Sequence, residues 1–142
     1  MIRVREYRSE DYAGLLHILN KVYDSTIKEA VLEGNYINSN RWILLAEKTE
    51  DKQIIGCVFI ERQTDYVRPS QILYITYLAV DESYRGQGVG KMLMYYVEGV
   101  CKELKCSAVE FTSADFRIEA HAFYNKIVYT KKKTTHFIKE IE

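Results

Sequence analysis

The sequence predicts an α+β fold: a mixed, mainly antiparallel sheet flanked by helices, with a parallel strand–helix–strand unit at its centre. Three observations carry this expectation. Residues 71–80, QILYITYLAV, are apolar or aromatic on both faces, as in a central strand covered on both sides. Val89, Met92, Leu93, Tyr96, Val97, Val100, Cys101 and Leu104 then recur at i, i+3, i+4, i+7 spacing, which makes one helix face. SAVEFTS, residues 107–113, reads as a further strand. A strand, a helix and a strand in that order form a right-handed crossover between parallel strands.

The remaining elements follow in order. IRVREY, residues 2–7, alternates Ile2 and Val4 with arginines and reads as a short first strand. Ser9 is the expected N-cap of a helix carrying Tyr12, Leu15, Leu16, Leu19 and Tyr23 on one face. A second helix is expected to end near Gly34. RWILLAEK (41–48) and QIIGCVFIER (53–62), joined by the polar TEDK, read as an antiparallel hairpin. RQTDYVRPS, with the only proline, Pro69, reads as a turn. A helix from Ile118 to Ile127 places Ala120, Phe123, Tyr124 and Ile127 on one side, and TTHFIKEI (134–141) is expected to close the fold as a strand. No repeat or linker interrupts the pattern, so residues 1–142 are expected to form a single domain.

Composition narrows the function. Lys plus Arg equals Asp plus Glu, 20 each, which argues against a nucleic-acid binder built on a broad basic surface. No apolar run approaches the ~20 residues needed to span a bilayer, and MIRVREYRSEDY lacks the apolar core of a signal peptide. A soluble, cytoplasmic protein is expected, monomeric or homodimeric. Cys57, Cys101 and Cys106 are an odd set, expected as free thiols. They lack zinc-ligand spacing, and His17, His121 and His136 are scattered, so no metal is expected.

The strongest local signal is YRGQGVGK, residues 84–91. Three of the chain's seven glycines alternate at 86, 88 and 90, between Arg85 and Lys91 and directly before the long helix. Glycine lets a backbone reach positive φ and approach a ligand closely. A helix N-terminus adds unpaired N–H groups and partial positive charge, so the stretch reads as a phosphate cradle. A bare strand-to-helix turn would need only one glycine. Two familiar phosphate loops do not fit. GxxxxGK[ST] fails because Lys91 precedes Met92 and Arg85 stands where the first glycine belongs. GxGxxG fails because Lys91 or Leu93 stands where the last glycine belongs.

YLAVDESYRGQGVGKML does resemble the acetyl-coenzyme A signature of the GNAT family of N-acetyltransferases, (Q/R)xxGx(G/A), with Arg85, Gly88 and Gly90 in its fixed positions. The order of elements resembles that family along essentially the whole chain, and RIEAHAFYNKI resembles its later helix. The resemblance implies transfer of an acetyl group from acetyl-coenzyme A to a primary amine of a small molecule or protein, by direct attack in a ternary complex. It places the pyrophosphate on the backbone of Arg85, Gly86, Gln87, Gly88, Val89, Gly90 and Lys91. The pantetheine arm would pair like an added strand with the main chain of Leu78, Ala79 and Val80. Tyr124 would protonate the leaving thiolate.

The general base is open between Glu47 and Glu61, near the ends of the hairpin strands, with Tyr77 ordering a water relay and His121 in a supporting role. Two positions depart from the family: Arg117 where asparagine is common, which either pairs with an anion, as on the coenzyme, or only caps the helix region, and Val128 where glycine is common. The acceptor pocket is expected from residues 24–40 and 65–68. Asp24, Glu29, Glu33 and Asp65 would act there with Tyr23, Tyr36, Trp42 and Tyr66 on a cationic amine. A non-catalytic acetyl-coenzyme A sensor acting through a protein partner, and a binder of another phosphorylated ligand, are the alternatives.

Overall fold

In the computed structural model, which describes residues 1–113 and 117–141 apart from the side chains of Asn35 and Tyr36, five strands form one sheet in sequence order. They are β1 (Ile2–Glu6), β2 (Arg41–Lys48), β3 (Ile54–Asp65), β4 (Ser70–Val80) and β5 (Ala108–Glu110). The first four pair antiparallel; β4 and β5 pair parallel across helix α3 (Val89–Glu103), as the strand–helix–strand pattern predicts. Helix α1 (Tyr12–Tyr23) follows β1. A single turn, α2 (Glu29–Val31), continues as a wider turn over Leu32–Tyr36. The chain forms two compact units, Met1–Phe111 and Thr112–Glu142; the second holds helix α4 (Ile118–Lys126).

In the first unit the sheet is buried on both faces, as the apolar runs of β2, β3 and β4 require. Leu15, Ile18 and Leu19 of α1 pack on Ile43, Leu45, Cys57 and Ala79. Helix α3 lies against β3 and β4 and buries Val89, Leu93, Met94, Val97 and Cys101. That face is turned from the expected one: Met94 is fully buried, whereas Met92 and Tyr96 are exposed. Gly56 of β3 permits the contact, because a Cβ there would stand 3.0 Å from Cγ1 of Val89 and 3.2 Å from the carbonyl oxygen of Ala79.

Several local expectations are corrected. Ser9 does not cap α1; the side chain of Asp11 accepts from the Arg8 amide at 2.8 Å, and Ser9 donates instead to Glu33 at 3.0 Å. Strands β3 and β4 run on to Asp65 and from Ser70, because Asp65 closes a tight turn by accepting from the amides of Val67 and Arg68. Residues 134–141 form no strand; Phe137, Ile138 and Ile141 stand exposed, without the partner strand that β-prone residues need.

The two units contain the chain's unusual backbone. Between Phe59 and Ile60 the β3–β4 register shifts, so that Phe59 faces Tyr77, Ile60 faces Ile75, and Thr76 is an extra residue. Such a bulge bends the strand and re-aims its side chains. At the end of α4, Val128 takes φ 71°. Its amide donates to Asn125 at 3.1 Å and the Tyr129 amide donates to Tyr124 at 2.9 Å. Those two bonds are the helix-ending motif that ordinarily takes glycine in the left-handed position. The helix exit survives the missing glycine, with a β-branched residue held at positive φ.

Candidate active site

The glycine loop is anchored before it opens. Asp81, buried at the end of β4, accepts from the Ser83 amide at 2.9 Å and sets the turn Glu82–Tyr84. The Tyr84 hydroxyl accepts from Lys48 at 3.1 Å and donates to Gln53 at 3.3 Å, tying the loop to the β2–β3 turn. Gly86 and Gly88 then sit at φ 77° and 83°, with nothing within 4 Å of where a Cβ would be. Both glycines are therefore needed for their backbone angles, and the space above them is open to a ligand. Gly88 is the N-cap of α3, and among the described residues no side chain caps that helix. Val89 is the buried anchor of the loop, Gly90 is half-buried, and Arg85, Gly86, Gln87, Gly88 and Lys91 are exposed. The first-turn N–H groups and the helix dipole are thus exposed at the loop, an arrangement that suits an anion.

Beside the loop lies an unpaired sheet edge. Strand β5 pairs only with Ile72, Leu73 and Tyr74 of β4, so no further strand covers that side of residues 75–80 among the described residues. Carbonyl groups there already accept side-chain donors: Leu78 from the Tyr23 hydroxyl at 2.8 Å and Val80 from Arg85 Nε at 3.3 Å. Ala79 is buried, facing Cys57. Burial pushes the Cys57 thiol up to about 12, which leaves it inert as a nucleophile.

On the α1 side of the sheet, the first unit holds a cleft of about 540 Å³. Its walls include Tyr23, Ile27, Trp42, Ile43, Phe59, Thr76 and Tyr77, and it carries one ion pair, Arg41 Nε to Glu61 Oε2 at 3.3 Å. Tyr77, half exposed, meets Tyr23 edge-on at 5.0 Å and Phe59 at 6.0 Å between ring centres. The bulge at Thr76 is what turns Tyr77 into this cleft. Tyr23 joins two regions: its ring lines the cleft, and its hydroxyl reaches the carbonyl of Leu78 on the open strand.

The two candidate bases have different surroundings. Glu61 lines the cleft and is partly exposed. Glu47 is buried, accepting from Arg5 Nε at 2.7 Å and from Arg3 at 3.0 Å, while Arg5 also grips Asp11 at 2.8 Å. The Arg5 hydrogen bonds hold the Glu47 carboxyl below the usual carboxylate range, against the opposing effect of burial. A carboxylate so held is a poor proton acceptor, and Glu47 is not among the cleft's lining residues. The sequence missed this because the alternation of β1 does not reveal that Arg5 turns inward.

The expected acceptor residues are divided. Tyr23 and Trp42 line the cleft; Arg41, Phe59 and Thr76 join them unannounced, since their strand pattern reads as ordinary sheet. Glu33 is occupied by Tyr7, at 2.7 Å, and Ser9, Asp65 caps its own turn, and Tyr66 is almost fully exposed. Asp24 and Glu29 are not among the cleft's lining residues, and the Tyr36 side chain lies outside the described residues.

In the second unit, Tyr124 is half-buried on α4 with its ring 5.5 Å from that of Phe123. Burial raises its pKa and the nearby charge of Arg117 partly offsets that, so the phenol is protonated at neutral pH. Arg117 is exposed at the N-cap of α4, and His121 Nε2 is buried without a hydrogen-bond partner among the described residues. Also among those residues, no helix is long and apolar enough to cross a membrane, and no cluster of ligating side chains could hold a metal ion.

Comparison with known proteins fits this geometry. The model of the acetyltransferase (GNAT) family matches residues 4–128. Similar solved structures include an acetyltransferase of Trypanosoma brucei, with 18% identity and TM-score 0.85 over 99% of this chain and 100% of that one. An aminoglycoside acetyltransferase from an uncultured soil metagenomic sample has 19% identity and TM-score 0.87 over 99% and 97% of the two chains. Glucosamine-6-phosphate N-acetyltransferase from Arabidopsis thaliana has 17% identity and TM-score 0.84 over 100% and 99%. At these identities the likeness is one of fold.

Proposed function

The chain belongs to the GNAT acetyltransferase family and is an acetyl-coenzyme A-dependent N-acetyltransferase; from that premise we propose which residues carry the transfer. The whole of residues 1–142 acts as one such domain, a reading supported by a family match over residues 4–128 that runs from the first compact unit into the second. A cytoplasmic setting accords with three free thiols.

The carrying observation is the pair of left-handed glycines at the uncapped start of α3. Backbone N–H groups from Arg85 to Lys91 hold the pyrophosphate, and Arg85 and Lys91 add charge. Main-chain groups of Leu78 and Val80 at the open edge receive the pantetheine amides, with Ala79 as buried support between them. The thioester end then points toward Thr76 and Tyr77, where the bulge opens the cleft. Arg117 supplies a further cation to the coenzyme.

The acceptor amine enters the cleft and must lose a proton before it attacks. Glu61 is the proposed base, acting through water, because of the two candidate carboxylates it is the one that lines the cleft. Glu47 is assigned to the scaffold. As nitrogen attacks the carbonyl carbon, the carbon–sulfur bond breaks and the Tyr124 hydroxyl gives its proton to the thiolate. The support for Tyr124 is its place in the family-like helix and a phenol kept protonated by burial.

The test is thiol release from acetyl-coenzyme A across a panel of primary amines. Amine-dependent release that falls in Glu61→Gln supports the reading. Tight acetyl-coenzyme A binding with no amine-dependent release would favour a sensor instead.

A further inference from the structure

Resting on the acetyl-transfer reading, we infer that Tyr23 is a positioning residue for the coenzyme's arm. Its hydroxyl holds a backbone carbonyl that the pantetheine needs, and the arm seats by taking that carbonyl from it. Sequence alone gives Tyr23 to the acceptor pocket. The edge geometry carries the argument. The Asp81 amide donates to the Ile55 carbonyl of β3 at 2.8 Å. In an antiparallel pair alternate residues bond to the neighbouring strand, and those between turn their N–H and C=O groups away. The register from Val80 back to Tyr77 is unbroken, so Ala79 and Tyr77 face β3, and Leu78 and Val80 face the open edge. The Leu78 carbonyl is therefore a group that an added strand would use, and the Tyr23 hydroxyl already donates to it at 2.8 Å. An amide N–H of the arm seeks the same oxygen from the same edge. The Val80 carbonyl is held less firmly, by the exposed Arg85 at 3.3 Å.

Tyr23 is placed to yield. It is the last residue of α1, where Asp24 ends the helix at φ 54°. Helix ends open at less cost than helix middles. The Tyr23 ring lies edge-on to Tyr77, 5.0 Å between centres, and walls the acceptor cleft. One side chain thus borders both substrate regions, so the motion that releases Leu78 also reshapes the cleft wall. The sign of the effect follows. A ligand that needs the carbonyl binds with an apparent affinity reduced by the fraction of molecules in which that carbonyl is available. Removing the hydroxyl removes the competitor, so the loss of a polar group is expected to tighten binding.

The experiment is calorimetric titration of acetyl-coenzyme A and of ADP into the native protein and into Tyr23→Phe, which keeps the ring and loses only the donor. ADP carries a diphosphate and lacks the arm. The expected result is an acetyl-coenzyme A dissociation constant roughly three- to tenfold lower in Tyr23→Phe, the worth of one neutral hydrogen bond, with ADP affinity the same in both proteins. Should Tyr23→Phe not fold, Tyr23→Leu, which also lacks the donor, is expected to give the same contrast. An acetyl-coenzyme A constant that is unchanged or raised in the variant overturns the inference. Equal tightening for ADP overturns it too, since the effect would then lie away from the arm. Both results leave the family reading in place, because the native protein binds the coenzyme in each. Absence of acetyl-coenzyme A binding to the native protein defeats the inference together with the coenzyme reading.

Discussion

Gly56 lies under the first turn of α3 so closely that a methyl group there would stand 3.0 Å from Cγ1 of Val89 and 3.2 Å from Cδ1 of Leu93. Strand β3 and the helix that follows the glycine loop are thereby coupled through one missing side chain. Gly56→Ala is expected to lift the start of α3, at an overpacking cost of roughly 1–3 kcal/mol. The measurement is thermal unfolding together with the acetyl-coenzyme A dissociation constant. Lower stability with weaker binding is expected; unchanged values in both would mean that the helix does not register on Gly56.

The buried cluster of Arg5, Asp11 and Glu47 predicts acid sensitivity. Arg5 holds both carboxyls below their ordinary values, 3.8 for Asp11 and 4.5 for Glu47. Groups depressed in the folded state contribute stability that is fully present above those ordinary values and is lost as pH falls through the folded ones. Denaturant midpoints are thus expected to be level above about pH 5 and to fall progressively below pH 4.5. Glu47→Gln should cost about 3 kcal/mol at neutral pH by breaking a buried pair, and should flatten the acid limb. A Glu47→Gln protein of normal stability but lost turnover would restore Glu47 as the base.

Val128 predicts a stabilising change. It is 86% exposed, so its side chain packs little, yet its φ is 71°. A left-handed backbone costs a non-glycine residue about 1–2 kcal/mol, and more for a branched one. Val128→Gly is expected to slow hydrogen exchange at Tyr129, whose amide closes α4 on Tyr124. Faster exchange there would show that the valine side chain supports the helix exit.

Much of this fold was legible because periodicity reports burial. The doubly apolar β4, the helix after the glycine loop and the β2–β3 hairpin each announce themselves, and the loop itself is visible as glycine spacing. Three features were not legible for physical reasons. The Thr76 bulge depends on pairing with β3, which no local pattern encodes. Glu47 looks like an exposed strand residue because its partner Arg5 is over forty positions away. TTHFIKEI has the composition of a strand, but composition cannot supply the neighbour that makes one.

Tyr124→Phe separates chemistry from binding. The ring and its contact with Phe123 remain, while the hydroxyl proposed to act on the leaving thiolate is lost. A drop in kcat of about tenfold or more is expected where chemistry limits the rate, with the acetyl-coenzyme A dissociation constant little changed. Equal kcat under those conditions would remove Tyr124 from the mechanism.

The most direct test is calorimetric titration of acetyl-coenzyme A into the native protein and into Gly88→Val. Gly88 sits at φ 83° at the uncapped start of α3, with open space where a side chain would project. A valine there would fill the space proposed for the pyrophosphate and strain the backbone that presents the N–H groups. The expected result is binding in the micromolar range for the native chain and none for a Gly88→Val protein whose circular dichroism remains that of the folded state. Equal affinity in the two folded proteins would contradict the assignment of the coenzyme to the loop from Arg85 to Lys91.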